Sequence, residues 1–281
     1  MAFDIETRAR FSTEDLNRSS LRFTYNLWLP RVAGYEAIKS SLDFFASTLM
    51  LVFSSPLILL GALLVKLTSR GPAFYTQTRV GKHGRLFTIY KLRSMTHNCE
   101  KTSGIQWSTK GDSRVTPVGR FLRASHIDEL PQLWNVVRGE MSMIGPRPER
   151  PEFLPQLEEA LPFYRCRLMV RPGLTGLAQV QLPPDTDMNS VRRKLAHDLH
   201  YVREHNFVMD MQLVAATVAH LAKVPVSWMW TVLQIPGGPV LEHDYEYQVI
   251  TRTPRERVTV QKPIASPKST AEFRVLAAAA S

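Results

Sequence analysis

The sequence predicts a predominantly helical α+β protein attached to a membrane, and three observations carry that prediction. Phe44 to Val65 contains no charged residue. Two runs rich in β-formers flank Gly81-Lys82-His83-Gly84, and downstream of them apolar residues recur at helical spacing between turns marked by proline and glycine.

Residues 1–34 mix charge with Ser and Asn without a clear period and read as an N-terminal extension. Residues 35–67 form the membrane segment. As a straight helix its charge-free part would run roughly 33 Å, enough to cross a hydrocarbon core. It starts too far into the chain, and lacks the small-residue site, for a cleaved signal peptide. Its centre is Ser54-Ser55-Pro56. Pro56 has no N–H and crowds the Val52 carbonyl, which predicts a kink or break costing about 3 kcal/mol. The hydroxyls of Ser54 and Ser55 can take over the freed carbonyl. Two shapes fit: a kinked spanning helix, or a helix-break-helix hairpin that enters and leaves by the same face. Prolines are common in spanning helices, which favours the first. Lys66, Arg70, Arg79, Lys82 and Arg85 follow the segment and place the downstream domain in the cytoplasm. Arg8, Arg10, Arg18, Arg22, Arg31 and Lys39 precede it, and a spanning helix would have to export them, so the charge pattern leans toward the hairpin.

Residues 68–230 read as a catalytic domain. AFYTQTRV and RLFTIYKL predict a β-hairpin turning at GKHG. Residues 98–113 are polar and predict a surface loop. A helix carrying Phe121 and Leu122 follows. Leu130, Leu133, Trp134 and Val137 then predict a helix from about Asp128 to Arg138, because Pro131 is tolerated only in a first turn. Ile144-Gly145-Pro146-Arg147-Pro148 can be neither helix nor central strand; its prolines predict a rigid extended loop that presents Arg147 at little entropic cost. Helices are expected over 152–168 and 191–205. Met211 to Leu221 is apolar and Trp228 and Trp230 follow, a stretch suited either to core packing or to a membrane interface. Residues 231–281 read as a flexible C-terminal tail, rich in Arg, Lys, Pro, Ser and Ala from Thr251 onward.

A formal net charge of +10 over 281 residues favours an anionic partner: nucleic acid, a phospholipid surface or a phosphorylated substrate. Cys99 and Cys166 are far apart and unpaired in spacing, which argues against a disulfide framework. The chain has no G-x-x-x-x-G-K-[ST], no strand-linked G-x-G-x-x-G and no H-E-x-x-H, so an ATP-driven kinase, a dinucleotide enzyme and a zinc protease are disfavoured. GKHG satisfies the GxxG of nucleic-acid-clamping KH loops, but those join helices and this one joins predicted strands.

The chemistry concentrates at Asp128-Glu129, with Arg120 and Arg123 before the pair and Pro146-Arg147-Pro148 after it. Adjacent carboxylates repel unless cations compensate, and arginine forks also fit phosphate oxygens. A carboxylate can attack phosphorus and hold the transferred group as an acyl phosphate. Ser125-x-x-Asp128 also fits a helix-capping pattern, which is compatible with an anion site at the helix mouth.

Taken in order, a hydrophobic segment with Ser-Pro, GPAFYTQTRVGKHGRLFTIYKLRSM, GDSRVTPVGRFLR, HIDELPQLWNVVRGEMSMIGPRP, RPGLTGLAQV and DLHYV resemble the bacterial sugar transferases, in their short monotopic phosphoglycosyl transferase form, from about Tyr35 to Val224. The resemblance implies a monotopic enzyme on the cytoplasmic face of the bacterial inner membrane, its helix broken into a re-entrant hairpin at Ser55 and Pro56. It implies transfer of a sugar-1-phosphate from a nucleotide diphosphate sugar, usually a UDP-sugar, to undecaprenyl phosphate, which initiates synthesis of a surface polysaccharide or glycoconjugate. By the same resemblance Asp128 is the nucleophile that forms an aspartyl phosphosugar, and Glu129 is the partner carboxylate associated with Mg2+. Arg123 and Arg147, with Pro146 and Pro148 framing the latter, contact the phosphates or nucleotide. Membrane lipids are partners, nucleic acid is not, and a homodimer is compatible with it. Where many members have Thr-Ser-Leu before the pair, this chain has Ser125-His126-Ile127. The competing readings are a membrane-anchored basic nucleic-acid-binding module and a scaffold without catalysis.

Overall fold

A computed structural model describes residues 34–100, 104 and 111–252. The expected N-terminal extension and the tail beyond 252 lie outside the described residues. Helix α1 (Tyr35–Thr68) is 34 residues long and apolar enough to cross a membrane. Strands β1 (Phe74–Val80) and β2 (Leu86–Leu92) pair antiparallel, with Val80 opposite Leu86. The GKHG turn closes this hairpin with His83 in the left-handed region (φ 58°), so it is a strand-to-strand turn and not the helix-joining loop of a KH module. Next come α2 (Pro117–Ala124), a 3-10 turn over Ile127–Gln132 that runs into α3 (Leu133–Val137), β3 (Ser142–Ile144), α4 (Leu154–Ala160), a 3-10 turn over Tyr164–Met169, and β4 (Gly173–Thr175). β3 and β4 pair in parallel. The remainder is helical: α5 (Leu177–Gln181), α6 (Met188–Glu204), α7 (Phe207–Leu221), α8 (Val226–Val232) and α9 (Gly238–Arg252).

The two main apolar clusters lie against α6. Val191, Leu195 and Leu199 pack on Leu157, Leu161 and Cys166 of the segment before it; Tyr201 and Val202 pack on Leu213 and Ala216 of α7.

Four expectations need correction. The break at Pro56 does not interrupt α1, which is helical throughout. Ser55 Oγ donates to the Val52 carbonyl (2.8 Å) and Ser54 Oγ to that of Leu51 (3.4 Å), local bonds that offset what the proline removes. The helix expected over 128–138 begins as a 3-10 turn at Ile127 and becomes α-helical only at Leu133. The helix expected over 152–168 is two short pieces, because Pro162 follows Ala160-Leu161 and Phe163 takes a positive φ (64°). Residues 231–281 are not a tail throughout: α9 buries Leu241, Tyr245 and Gln248, and Tyr245 donates to the Pro162 carbonyl (3.0 Å). Its apolar residues at i and i+4 sat within a charged stretch whose overall polarity hid them.

One face of α1 is buried towards each end of the helix, at Tyr35, Lys39, Asp43 and Ser47 and again at Ile58, Gly61 and Val65, whereas no residue of 48–57 is buried. The opposite face exposes Phe45, Leu49, Phe53, Leu59, Leu63 and Leu67, each more than half accessible. Both ends dock on the same domain. Near the start, Glu36 meets Lys82 (3.0 Å) and His205 (3.1 Å). At the end, Arg93 Nη2 donates to the Ser69 carbonyl (3.0 Å).

Candidate active site

The Asp128-Glu129 pair lies in the first turn of the 3-10 segment, preceded by His126 in the left-handed region (φ 55°). The capping expectation fails. Ser125 Oγ donates back to the Phe121 carbonyl (2.8 Å), and no side chain caps this turn. A 3-10 start with Pro131 in its interior fits the local chemistry, since proline contributes no N–H and the chain is already committed to a tight turn.

The two neighbouring carboxylates have opposite environments. Glu129 Oε1 accepts from Lys91 Nζ (2.7 Å) and Arg147 Nη2 (2.5 Å), and Oε2 from Arg147 Nη1 (3.3 Å). Burial opposes its ionisation, yet Arg147 and Lys91 together outweigh burial and hold it well below the ordinary carboxylate range. Asp128 is buried (6 % exposed) and has no ion pair among the described residues. Burial, and then the charge of Glu129, push its pKa up against the pull of Lys91, Arg123 and His126. One carboxylate is therefore a fixed anion that organises cations; the other is buried without an ion pair among the described residues.

Lys91, on β2, belongs to the site although the sequence reading does not point to it. The available signal was a lone cation inside the apolar alternation of a strand. Burial lowers its pKa, while Glu129 works the other way. Arg123 reaches a different partner: its Nε donates to Ser94 Oγ (2.8 Å), which holds the guanidinium beside the pair rather than on it.

The Pro-Arg-Pro loop is fixed at every carbonyl. Pro146 O accepts from Gly173 N (2.9 Å), Arg147 O from Arg167 Nη2 (2.8 Å), and Pro148 O from Arg79 Nη1 (3.0 Å). Glu149 O accepts from Val80 N (3.0 Å), the end of the hairpin. Arg167 is itself buried and paired with Asp198 (2.6 Å) of α6. The loop can approach RPGLTG this closely because Gly145, Gly173 and Gly176 lack side chains: a Cβ on Gly173 or Gly176 would collide with the Gly145 backbone. The arginine is thus presented from a scaffold with few degrees of freedom left.

Ser55 and Pro56 lie on α1, where both are exposed, and the Ser55 hydroxyl bonds the Val52 carbonyl of its own helix. They shape the helix rather than the site. No group of three or more His, Cys, Asp or Glu side chains that could hold a metal exists among the described residues. The pair itself supplies two hard oxygen donors.

The bacterial sugar transferase family model matches residues 34–224, which includes every element of this site. The chain belongs to the bacterial sugar transferase family. It is 44% identical over 184 residues to the UDP-N-acetylgalactosamine-undecaprenyl-phosphate N-acetylgalactosaminephosphotransferase of Aeromonas hydrophila, covering 66% of this chain and 43% of that protein. It is 45% identical over 195 residues to the UDP-glucose:undecaprenyl-phosphate glucose-1-phosphate transferase of Caulobacter vibrioides, covering 69% of this chain and 72% of that one. It is also 41% identical over 186 residues to the exopolysaccharide production protein PSS of Rhizobium leguminosarum bv. phaseoli, covering 64% and 93%. This sugar transferase therefore spans less than half of its Aeromonas relative and most of the other two. Its helix α9 lies beyond the matched region.

Proposed function

We propose that this chain transfers a sugar-1-phosphate from a UDP-sugar to undecaprenyl phosphate through a covalent intermediate on Asp128. The observation that carries the reading is the contrast within the pair: a buried Asp128 with no ion pair beside a Glu129 paired with Lys91 and Arg147. An Asp128 oxygen attacks the sugar-bearing phosphorus, and the bond from that phosphorus to the bridging oxygen breaks with its electron pair leaving on UMP. An oxygen of undecaprenyl phosphate then attacks the same phosphorus, releasing the carboxylate and forming the lipid diphosphate sugar. Phosphoryl transfer needs charge neutralisation and alignment above all, and Arg147 on its braced loop with Lys91 on the hairpin offers both. Glu129 orients these two cations.

Mg2+ would be held by Asp128 together with Glu129 Oε2, whose one contact is Arg147 Nη1 at 3.3 Å while Oε1 is taken by Lys91 and Arg147, and it would neutralise charge on the diphosphate.

The membrane reading is that α1, helical through Pro56, kinks there without breaking and so enters and leaves one leaflet. Its support is that both ends of α1 dock on one domain while its outer face is apolar. The outer face of α7 adds Phe207, Met211, Val214, Val218 and Leu221, spaced as one helical stripe, and Trp228 and Trp230 follow on α8. An apolar area of this extent marks an interaction surface, and indoles favour the headgroup layer. The active site would then stand at headgroup depth, on the cytoplasmic face, where lipid phosphate and nucleotide can both reach it.

The test is detergent-solubilised protein with labelled UDP-glucose or UDP-N-acetylgalactosamine, Mg2+ and no lipid. The expected result is protein-bound sugar phosphate and released UMP, both absent in Asp128→Asn; equal labelling of the variant would exclude Asp128 as nucleophile. The first half-reaction should rise with pH through the elevated Asp128 pKa. A carboxyl whose folded pKa is raised contributes stability at low pH that is lost as pH rises through that value, so at neutral pH Asp128→Asn should raise the unfolding midpoint.

A further inference from the structure

The buried polar face of α1 reaches the back of the Pro-Arg-Pro loop. Asp43 Oδ1 accepts the Met143 N–H of β3 (3.1 Å). One residue further on, the Ile144 carbonyl lies 3.0 Å from the Tyr201 hydroxyl, which is also 2.8 Å from Asp210 Oδ1. Asp210 Oδ2 in turn receives Tyr35 OH (2.7 Å) and Lys39 Nζ (2.5 Å) from α1, and Lys39 stands 3.9 Å from Asp43. All five side chains are buried. Thus the two backbone groups immediately before Gly145-Pro146-Arg147 are held by a polar network centred on the membrane helix.

The network is costly where an apolar contact would not be. Asp43 Oδ2 is buried without a hydrogen-bond partner, a situation that burdens a fold unless the group has a use. Oδ1 supplies that use. The Met143 N–H faces away from β4, so nothing else on the sheet can receive it: β3 pairs through Ser142 N to Pro172 O and Gly145 N to Thr175 O.

Building on the transferase reading, we infer that Asp43 is a positioning residue for Arg147, setting the loop through β3 so that full activity requires the membrane helix to be seated. Asp43 touches no substrate in this scheme. It fixes the strand from which the Arg147–Glu129 pair is aimed, and small misplacements of such groups weaken catalysis steeply.

The test uses the full chain in detergent with UDP-glucose or UDP-N-acetylgalactosamine, Mg2+ and undecaprenyl phosphate. Asp43→Leu should lower kcat/KM about 10–100-fold. Asp43→Asn should recover most of it, since its amide oxygen can still accept the Met143 N–H, with Lys39 favouring that orientation. In an Arg147→Lys background the same Asp43→Leu change should cost less than about 2-fold, because groups acting through one another are not additive. Hydrogen exchange supplies a readout independent of turnover. In Asp43→Leu the amides of 142–145 should exchange at least about 10-fold faster while those of 133–137 are unchanged. Equal fold-losses in both backgrounds, or equal loosening of both segments, would overturn the inference. Should the wild type transfer neither sugar, the transferase reading fails, and the exchange experiment still decides whether helix and loop are coupled.

Discussion

The two halves of α1 show the same apolar face outward and opposite faces inward. Between Tyr35 and Ser47 the inner stripe is polar, and its side chains meet specific atoms of β3 and α7. Between Ile58 and Val65 the inner stripe is apolar and packs on Leu92 and Leu122, with Ile127 and Leu130 at its edge. The first half fixes where the helix sits, because hydrogen bonds and ion pairs fail when atoms shift by an ångström. The second half holds it in place, because apolar burial tolerates small displacements but rewards contact. The carboxylate pair stands just beyond the second half; the loop that carries Arg147 stands beyond the first.

Substitutions can break this contrast in graded steps. The largest loss should come from Lys39→Met, which leaves Asp210 and Asp43 buried without their cation; removing one partner of a buried pair costs about 3–5 kcal/mol, read as a lowered unfolding midpoint in detergent. Ile58→Ala in the apolar half should cost about 2–4 kcal/mol by the same measurement, and should leave the exchange of 142–145 unchanged. Gly61→Ala should cost about 1–3 kcal/mol, because a Cβ there would come within 2.6 Å of Leu92 Cδ1. Ser55→Ala removes only the bond to the Val52 carbonyl and should cost about 1 kcal/mol. A result in which Ile58→Ala loosens the loop as strongly as Asp43→Leu would erase the distinction between the halves. A separate measurement tests where the helix starts: a cysteine placed at residue 2 should be shielded from membrane-impermeant label on intact cells, and external labelling would show a spanning helix.

Much of the fold was legible because local chemistry dictated it. The β-hairpin follows from β-branched and aromatic runs around a glycine turn, and the rigid loop from prolines whose φ is fixed covalently. The carboxylate pair with its arginines announced itself by charge, although the capping role suggested for Ser125 did not materialise. Lys91 was missed because its partner is separated from it by 38 positions. The helix over 238–252 was missed because its apolar residues are few and acquire meaning only against Pro162 and α6.

Lys39 and Asp43 show where reading a chain stops. On paper they are charges at the mouth of an apolar run, and nothing within the run says that one will bind Asp210 and the other the backbone of Met143. Composition, hydrophobic period, proline stiffness and the order of motifs are properties of neighbours along the chain, and these determined most of the elements, the long apolar helix and the family. Which carboxylate of a pair is neutralised, which cation is shared, and how a helix is tied to a distant loop depend on contacts closed across 18, 38 and 100 residues, and only the folded structure decided them.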